Sequence, residues 1–252
     1  MKTLWEIRAS AEAERKADIY VYGDIESDGY DFWTGEAVRA ENSANAFRDK
    51  LAEMGDLDEI DIYINSTGGS VFEGLAIYNQ LRRVSAKKVV HIDGFACSIA
   101  SVIAMAGDEI VMPRNALMMI HNAWTYACGN ADELRKSADD LEIVSAAMST
   151  AYLDKSGGKL DEGKLAEMLK NETWLSAEDC LAYGLCDRID ERDADMADAA
   201  AKMDKVTANL KGRVEIAKSI AAQLRGLETP PPRKKPEETP RGLCAMLAGI
   251  KK

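Results

Sequence analysis

The sequence predicts an α/β fold built on a mostly parallel sheet. Two observations carry that reading. Short β-rich runs alternate with segments of helical period from residue 17 to 189, and one such run is broken sharply by the adjacent glycines of "STGGS" (66–70). Strands separated by helices imply right-handed crossovers between parallel neighbours. The run "ADIYVYGDI" (17–25) alternates and reads as the first strand. In "SANAFRDKLAEMG" (43–55), Phe47, Leu51 and Met54 recur at helical spacing up to Gly55. "EIDIYIN" (59–65) reads as a second strand, broken sharply by "STGGS" (66–70), and "VFEGLAIYNQLRRV" (71–84) as a helix. "KKVVHIDGF" (87–95) is a third strand leading into a helix begun by "CSIASVIAMAG"; "EIVMP" (109–113) and "ALMMIHNA" (116–123) are two more. A long amphipathic helix follows over 131–155, with Leu134, Ala138, Leu141, Val144 and Met148 on one stripe. "DEGKLAEMLKNETWLSAEDCLAYGLCDRI" supplies two shorter helices and a last strand, so the folded core should stop near Ile189. Residues 1–16 form an N-terminal segment. Residues 190–252 form an extension, first charged and helical, then flexible through the Pro-rich "LETPPPRKKPEETPRG".

Composition narrows the function. The 252 residues are 46% hydrophobic and 30% charged, enough to bury a sizeable core. A formal net charge of −11 argues against nucleic acid or an anionic membrane as the main partner. Hydrophobic runs are too short to span a bilayer, and the N-terminus has no secretory apolar region. The five cysteines are scattered without a CxxC pair, which reads as reduced thiols in a cytoplasm and not as a disulfide frame or metal site. No cofactor is expected. With only two histidines, any imidazole chemistry must use His91 or His121.

Three features could carry chemistry. The glycines of "NSTGGS" follow a strand end, where they can adopt φ > 0 and leave backbone N–H groups uncovered; a tight strand-to-helix turn explains them equally well. In "HIDGFACSIASVIAMAG", Cys97 and Ser98 sit side by side where a strand gives way to a helix. Ser98 at a helix start is either an N-cap hydroxyl or a nucleophile, and the GxSxG spacing of the α/β-hydrolase elbow is absent. His121 closes "ALMMIH", at a strand end that would bring it near Ser98, whereas His91 lies inside a strand and reads as a packed or edge residue. A base needs an acceptor on its other nitrogen, and Glu167 or Glu172 could supply one.

These segments, in this order, resemble the Clp protease proteolytic-subunit family. "YINSTGGSVFEGLAIYNQLR", "GFACSIASVIAMAG", "LMMIHNA" and "ETWLSAEDCLAYGLCDRI" match its four signatures, from about residue 18 to 189. The resemblance implies a ClpP/crotonase-like ββα superhelical fold with a protruding handle helix at 131–155. It also implies acyl transfer in which Ser98 is the nucleophile, His121 the base and Glu172 the third member. The family's aspartate is thus replaced by a residue one methylene longer. Gly69 and Ile99 correspond to its oxyanion-hole donors. Gly68, Ser70, Val71, Trp124, Thr125 and Tyr126 correspond to the edges that receive an extended peptide by β-augmentation. Cys97 falls where the family places a small buried residue. The expected partners are protein or peptide substrates and further copies of the chain, in a heptameric ring or stacked double ring.

The sequence lacks the long N-terminal arm of housekeeping members, and its C-terminal extension is foreign to them. The opening "WEIRAS…ADIYVYGDI" and the "TW" before "LSAE" instead resemble phage and prophage head maturation proteases of this type. That implies capsid or scaffold substrates, no requirement for a dedicated ATPase unfoldase with an ATPase partner left open, and action in a bacterial host cytoplasm within assembling procapsids. Two other readings stay open: a crotonase-type acyl-CoA enzyme, which needs no serine nucleophile, and a ring-forming assembly scaffold that has lost activity.

Overall fold

The computed structural model describes residues 5–9, 15–31 and 33–190. The extension beyond Asp190, including its expected helix and Pro-rich stretch, lies outside the described residues. Ten strands and six helices are described. The strands are β1 (Trp5–Ala9), β2 (Lys16–Ile25), β3 (Gly29–Tyr30), β4 (Ala37–Val38), β5 (Glu59–Gly69), β6 (Lys87–Cys97), β7 (Glu109–Pro113), β8 (Leu117–Ile120), β9 (Thr173–Ser176) and β10 (Arg188–Asp190). The helices are α1 (Ala44–Glu53), α2 (Val71–Arg83), α3 (Ile99–Ala104), α4 (Ala131–Ser156), α5 (Glu162–Lys170) and α6 (Ala177–Tyr183). Every strand and helix expected from residue 17 to 189 is present.

The main sheet runs β1-β2-β5-β6-β7-β10, and its neighbours are parallel except for β1. Ile19, Val21, Ile60, Ile62, Ile64, Val90 and Ile92 alternate onto one face and are completely buried, joining Ile77 and Leu81 of α2 and Ile99, Val102 and Ile103 of α3 in one core. The period-2 pattern of the β-branched residues fixes the register, because a slip of one residue would turn this set to the other face. α2 and α3 meet closely at Gly74: a Cβ there would lie 2.1 Å from Ile99 Cγ1.

β6 forks, and the fork positions the site. Its first half pairs with β7 (Val89 to His91 against Glu109 to Val111), and its second half with β8 (Phe95 to Cys97 against Leu117 to Met119). One strand thereby changes neighbour midway, and the ends of β6 and β8 lie side by side.

Four strands are additions to the sequence reading. β1 pairs antiparallel with β2, β3 and β4 form a small hairpin, and β9 pairs antiparallel with β8. The short hairpin and β9 carry too few residues for a period to register. One expectation is corrected: "STGG" does not end β5 at residue 65. After an irregularity, Gly68 and Gly69 stay paired with Asp24 and Ile25. They do so at φ +93° and +145°, and a Cβ on Gly69 would strike the Ile25 carbonyl oxygen at 2.1 Å. Glycine here lets the chain hug its neighbour; it does not break the strand.

α4 is the expected handle. Asn130 caps it, in a capping box with Glu133, and Gly157 ends it in the left-handed conformation. Its buried residues, Met148, Ala151, Tyr152 and Ser156, all lie in its last turns. Its first half is exposed, with Leu134 and Ile143 open to solvent, so the helix projects from the core. Among the described residues no helix is long and apolar enough to cross a membrane.

Candidate active site

Ser98 sits between β6 and α3 with φ +54° and ψ −132°. A non-glycine residue there is strained, typically by about 1–3 kcal/mol. The strain places the hydroxyl at the apex of a strand-to-helix turn. Room for it comes from the neighbouring strand, since a Cβ on Gly68 would lie 2.7 Å from Ser98 Cβ and 2.8 Å from the Cys97 carbonyl oxygen. The geometry is that of a nucleophile elbow, although the small residue that clears the space comes from β5 and not from the Ser98 strand itself.

Ser98 occupies the N-cap position of α3, yet its side chain makes no capping hydrogen bond. Its Oγ lies instead 2.8 Å from His121 Nε2. This separates the two meanings a serine at a helix start can have: the hydroxyl is committed to an imidazole, not to the backbone. The register explains how 23 residues of separation collapse to contact. Cys97 faces Met119 across β6 and β8, and the Ser98 N–H donates to the Met119 carbonyl at 2.8 Å. Two residues on from Met119, the imidazole is in reach.

His121 is 7% exposed. Burial pushes its pKa down, and the charge of Glu172 pulls it partly back up. Glu172 stands on the α5–β9 connection in the left-handed region, φ +49°, with its side chain exposed. The Leu169 carbonyl at the end of α5 accepts from the N–H of both Asn122, next to His121, at 3.1 Å and Glu172 at 3.5 Å. That shared acceptor holds the two backbone segments together. Among the described residues Glu172 makes no hydrogen bond with the imidazole, so it reaches His121 by charge. Glu167 turns away, paired with Lys164 at 3.1 Å.

Cys97, beside Ser98, is 3% exposed, and burial pushes its thiol up to about 12. A thiol held protonated is a poor nucleophile, which counts against Cys97 in that role. His91 is stacked on Tyr63 with ring centroids 4.8 Å apart and bonds Asp61 at 2.9 Å, as a strand residue on the sheet.

Around the pair, Gly68 and Gly69 end β5, and Ser70 occupies the N-cap position of α2, which begins at Val71, without a side-chain capping bond. The Ser70 N–H donates to the Ile25 carbonyl at 2.8 Å, and Ser70 Oγ accepts from Ser27 at 2.9 Å. Ile99 is the first residue of α3, and the first N–H groups of a helix have no carbonyl a turn before them. Trp124, Thr125 and Tyr126 follow His121 in an irregular, exposed segment, with the two rings edge to face at 5.2 Å. Its base is tied to α4 by the Ala123 N–H donating to Ser145 Oγ at 3.0 Å. Sequence reasoning missed the backbone carbonyls of Met119 and Leu169 that assemble the site, because a main-chain oxygen leaves no trace in residue identity. Among the described residues no three or more His, Cys, Asp or Glu side chains gather as a metal-ligand set.

A mostly parallel sheet whose strand ends hold a serine and a histidine in contact is the setting of a hydrolase-like α/β protein. Residues 32–193 match the Clp protease family. The chain is 31% identical over 154 residues to the ATP-dependent Clp protease proteolytic subunit of Bacteroides fragilis, covering 58% of this chain and 72% of that protein. It is 33% identical over 134 residues to the protein of the same name from Deinococcus radiodurans, covering 52% and 64%. This chain belongs to the Clp protease family.

Proposed function

We propose that the chain is a serine endopeptidase in which Ser98 attacks a peptide carbonyl and His121 takes its proton. The observation that carries this is the Ser98 hydroxyl, which ignores the helix it caps and bonds His121 Nε2 at 2.8 Å. With Nε2 as acceptor the neutral imidazole holds its proton on Nδ1, and the nearby Glu172 charge stabilises the imidazolium formed on proton transfer. The N–H groups of Gly69 and Ile99 receive the oxyanion, and Gly68, Ser70 and Val71 on one side and Trp124 to Tyr126 on the other flank the extended substrate. The leaving amine collects the proton from His121. Water, activated by the same base, then releases the acyl group.

We assign capsid or scaffold proteins as substrates, on the resemblance of the opening segment and of "TW" before "LSAE" to head maturation proteases. The projecting half of α4, with exposed Leu134 and Ile143, supports assembly into a homo-oligomeric ring. The test is a fluorophosphonate probe followed by mass spectrometry. Labelling at Ser98 is expected, and its absence in correctly assembled protein would favour a second reading, a ring-forming scaffold. That reading draws its support from Glu172, which acts by charge without a hydrogen bond to the base.

The pH profile follows from burial. Activity requires neutral His121, whose pKa lies below its ordinary value, so the acid limb of kcat/KM is expected below about pH 6.5. Glu172→Gln removes the charge that raises this pKa. It is therefore expected to lower kcat and to move the acid limb to still lower pH, read from kcat/KM across pH 4.5–8. An unmoved limb would separate Glu172 from His121.

A further inference from the structure

We propose that Tyr152 and Ser101 are positioning residues for the oxyanion-binding peptide, acting through the Ser98 carbonyl; this rests on the reading of Ile99 N–H as an oxyanion donor. Ser101 Oγ lies 2.5 Å from the Ser98 carbonyl oxygen and 2.7 Å from Tyr152 OH. A carbonyl can only accept, so the Ser101 hydrogen points at Ser98, and the remaining lone pairs of Ser101 take the Tyr152 proton. The direction of the chain is thereby fixed: Tyr152 O–H to Ser101 O–H to Ser98 C=O. Both side chains are completely buried, and burial keeps the phenol protonated. The Ser101 N–H donates to the same carbonyl at 2.9 Å, so this one oxygen receives two donors from one residue.

The C=O of Ser98 and the N–H of Ile99 belong to the same planar peptide group. Hydrogen bonds on the oxygen fix the orientation of that plane and polarise it, which makes the N–H at its other end a stronger donor. Ser98 is held at a positive φ that its own side chain does not stabilise by capping, so this peptide needs an external restraint. Tyr152 provides it from α4, 51 residues away from Ser101 in the chain. Without the restraint, the Ser98 backbone would relax from its strained conformation, turn the Ser98–Ile99 peptide and carry the Ile99 N–H off the oxyanion.

Tyr152→Phe, Ser101→Ala and the double variant of the full chain test this, with kcat and KM on a fluorogenic peptide, inhibition by a peptide boronic acid as transition-state mimic, and thermal midpoints. Each single variant is expected to lower kcat and boronate affinity in parallel by about tenfold, a fraction of the loss from removing an oxyanion donor outright. KM and the acid limb should not move. Because the residues act in series, the double variant should resemble Ser101→Ala alone. Wild-type kcat and boronate affinity in both single variants would overturn the proposal, as would multiplying effects or a lowered thermal midpoint with boronate affinity intact. A wild-type chain that fails to label at Ser98 would instead remove the serine-peptidase reading itself, and this inference with it.

Discussion

His121→Ala is expected to lower kcat on a peptide substrate by about 10⁶-fold while leaving the fold intact. The imidazole bonds Ser98 and is otherwise a small buried group at the end of β8, so its removal takes away the base without opening the core. Ser98→Ala should cost as much, and the double variant little more, because residues acting as one unit lose the same step whichever is removed. Turnover of a fluorogenic peptide, with the thermal midpoint as control for folding, measures this. A His121→Ala protein that still turns over substrate at near wild-type rate would exclude the pair as the catalytic centre. Cys97 does not rescue the Ser98 variant in this account, because burial holds its thiol protonated at physiological pH.

Gly68→Ala carries the second-largest expected effect and tests the geometry from the other side. The added methyl would sit 2.7 Å from Ser98 Cβ, 2.8 Å from the Cys97 carbonyl oxygen and 3.2 Å from the Ile99 nitrogen, at φ +93°. Two of these neighbours are backbone atoms and cannot swing away. The turn must shift, and Ser98 leaves the position from which it meets His121. Displacements on the order of 1 Å cost about 10²-fold in kcat, and the unfavourable φ should take about 1–3 kcal/mol from stability. Gly29→Ala is the control: nothing lies within 4 Å of a Cβ there, and neither activity nor stability should change. Equal activity in the two variants would mean that Gly68 does not hold the space Ser98 occupies.

Much of this architecture was legible because its signals are local. The alternation of Ile19, Val21, Ile60, Ile62 and Ile64 fixes which face of β2 and β5 is buried, and the helical stripes of α1 and α2 follow from spacing alone. The handle is legible too, since Leu134, Ala138, Leu141, Val144 and Met148 recur at helical spacing along 131–155. β1, β3, β4 and β9 were not, because each depends on a partner strand for its conformation more than on its own composition. The extent of β5 was misread for a related reason. Glycines that end a strand and glycines that let a strand approach its neighbour look alike until Ile25 is seen against Gly69.

By itself the sequence determined the order of the main strands and helices, their buried faces and the short roster of groups able to do chemistry, with only two histidines in the chain. These follow from periodicity and residue type, which are properties of the chain one stretch at a time. Tertiary structure decided the rest. The fork of β6 brings Ser98 to His121, the Gly68 backbone clears the space beside it, and the Leu169 carbonyl holds Glu172 near the base. Each is a distance between segments far apart in sequence, made through backbone atoms that every residue shares, and only packing could select it.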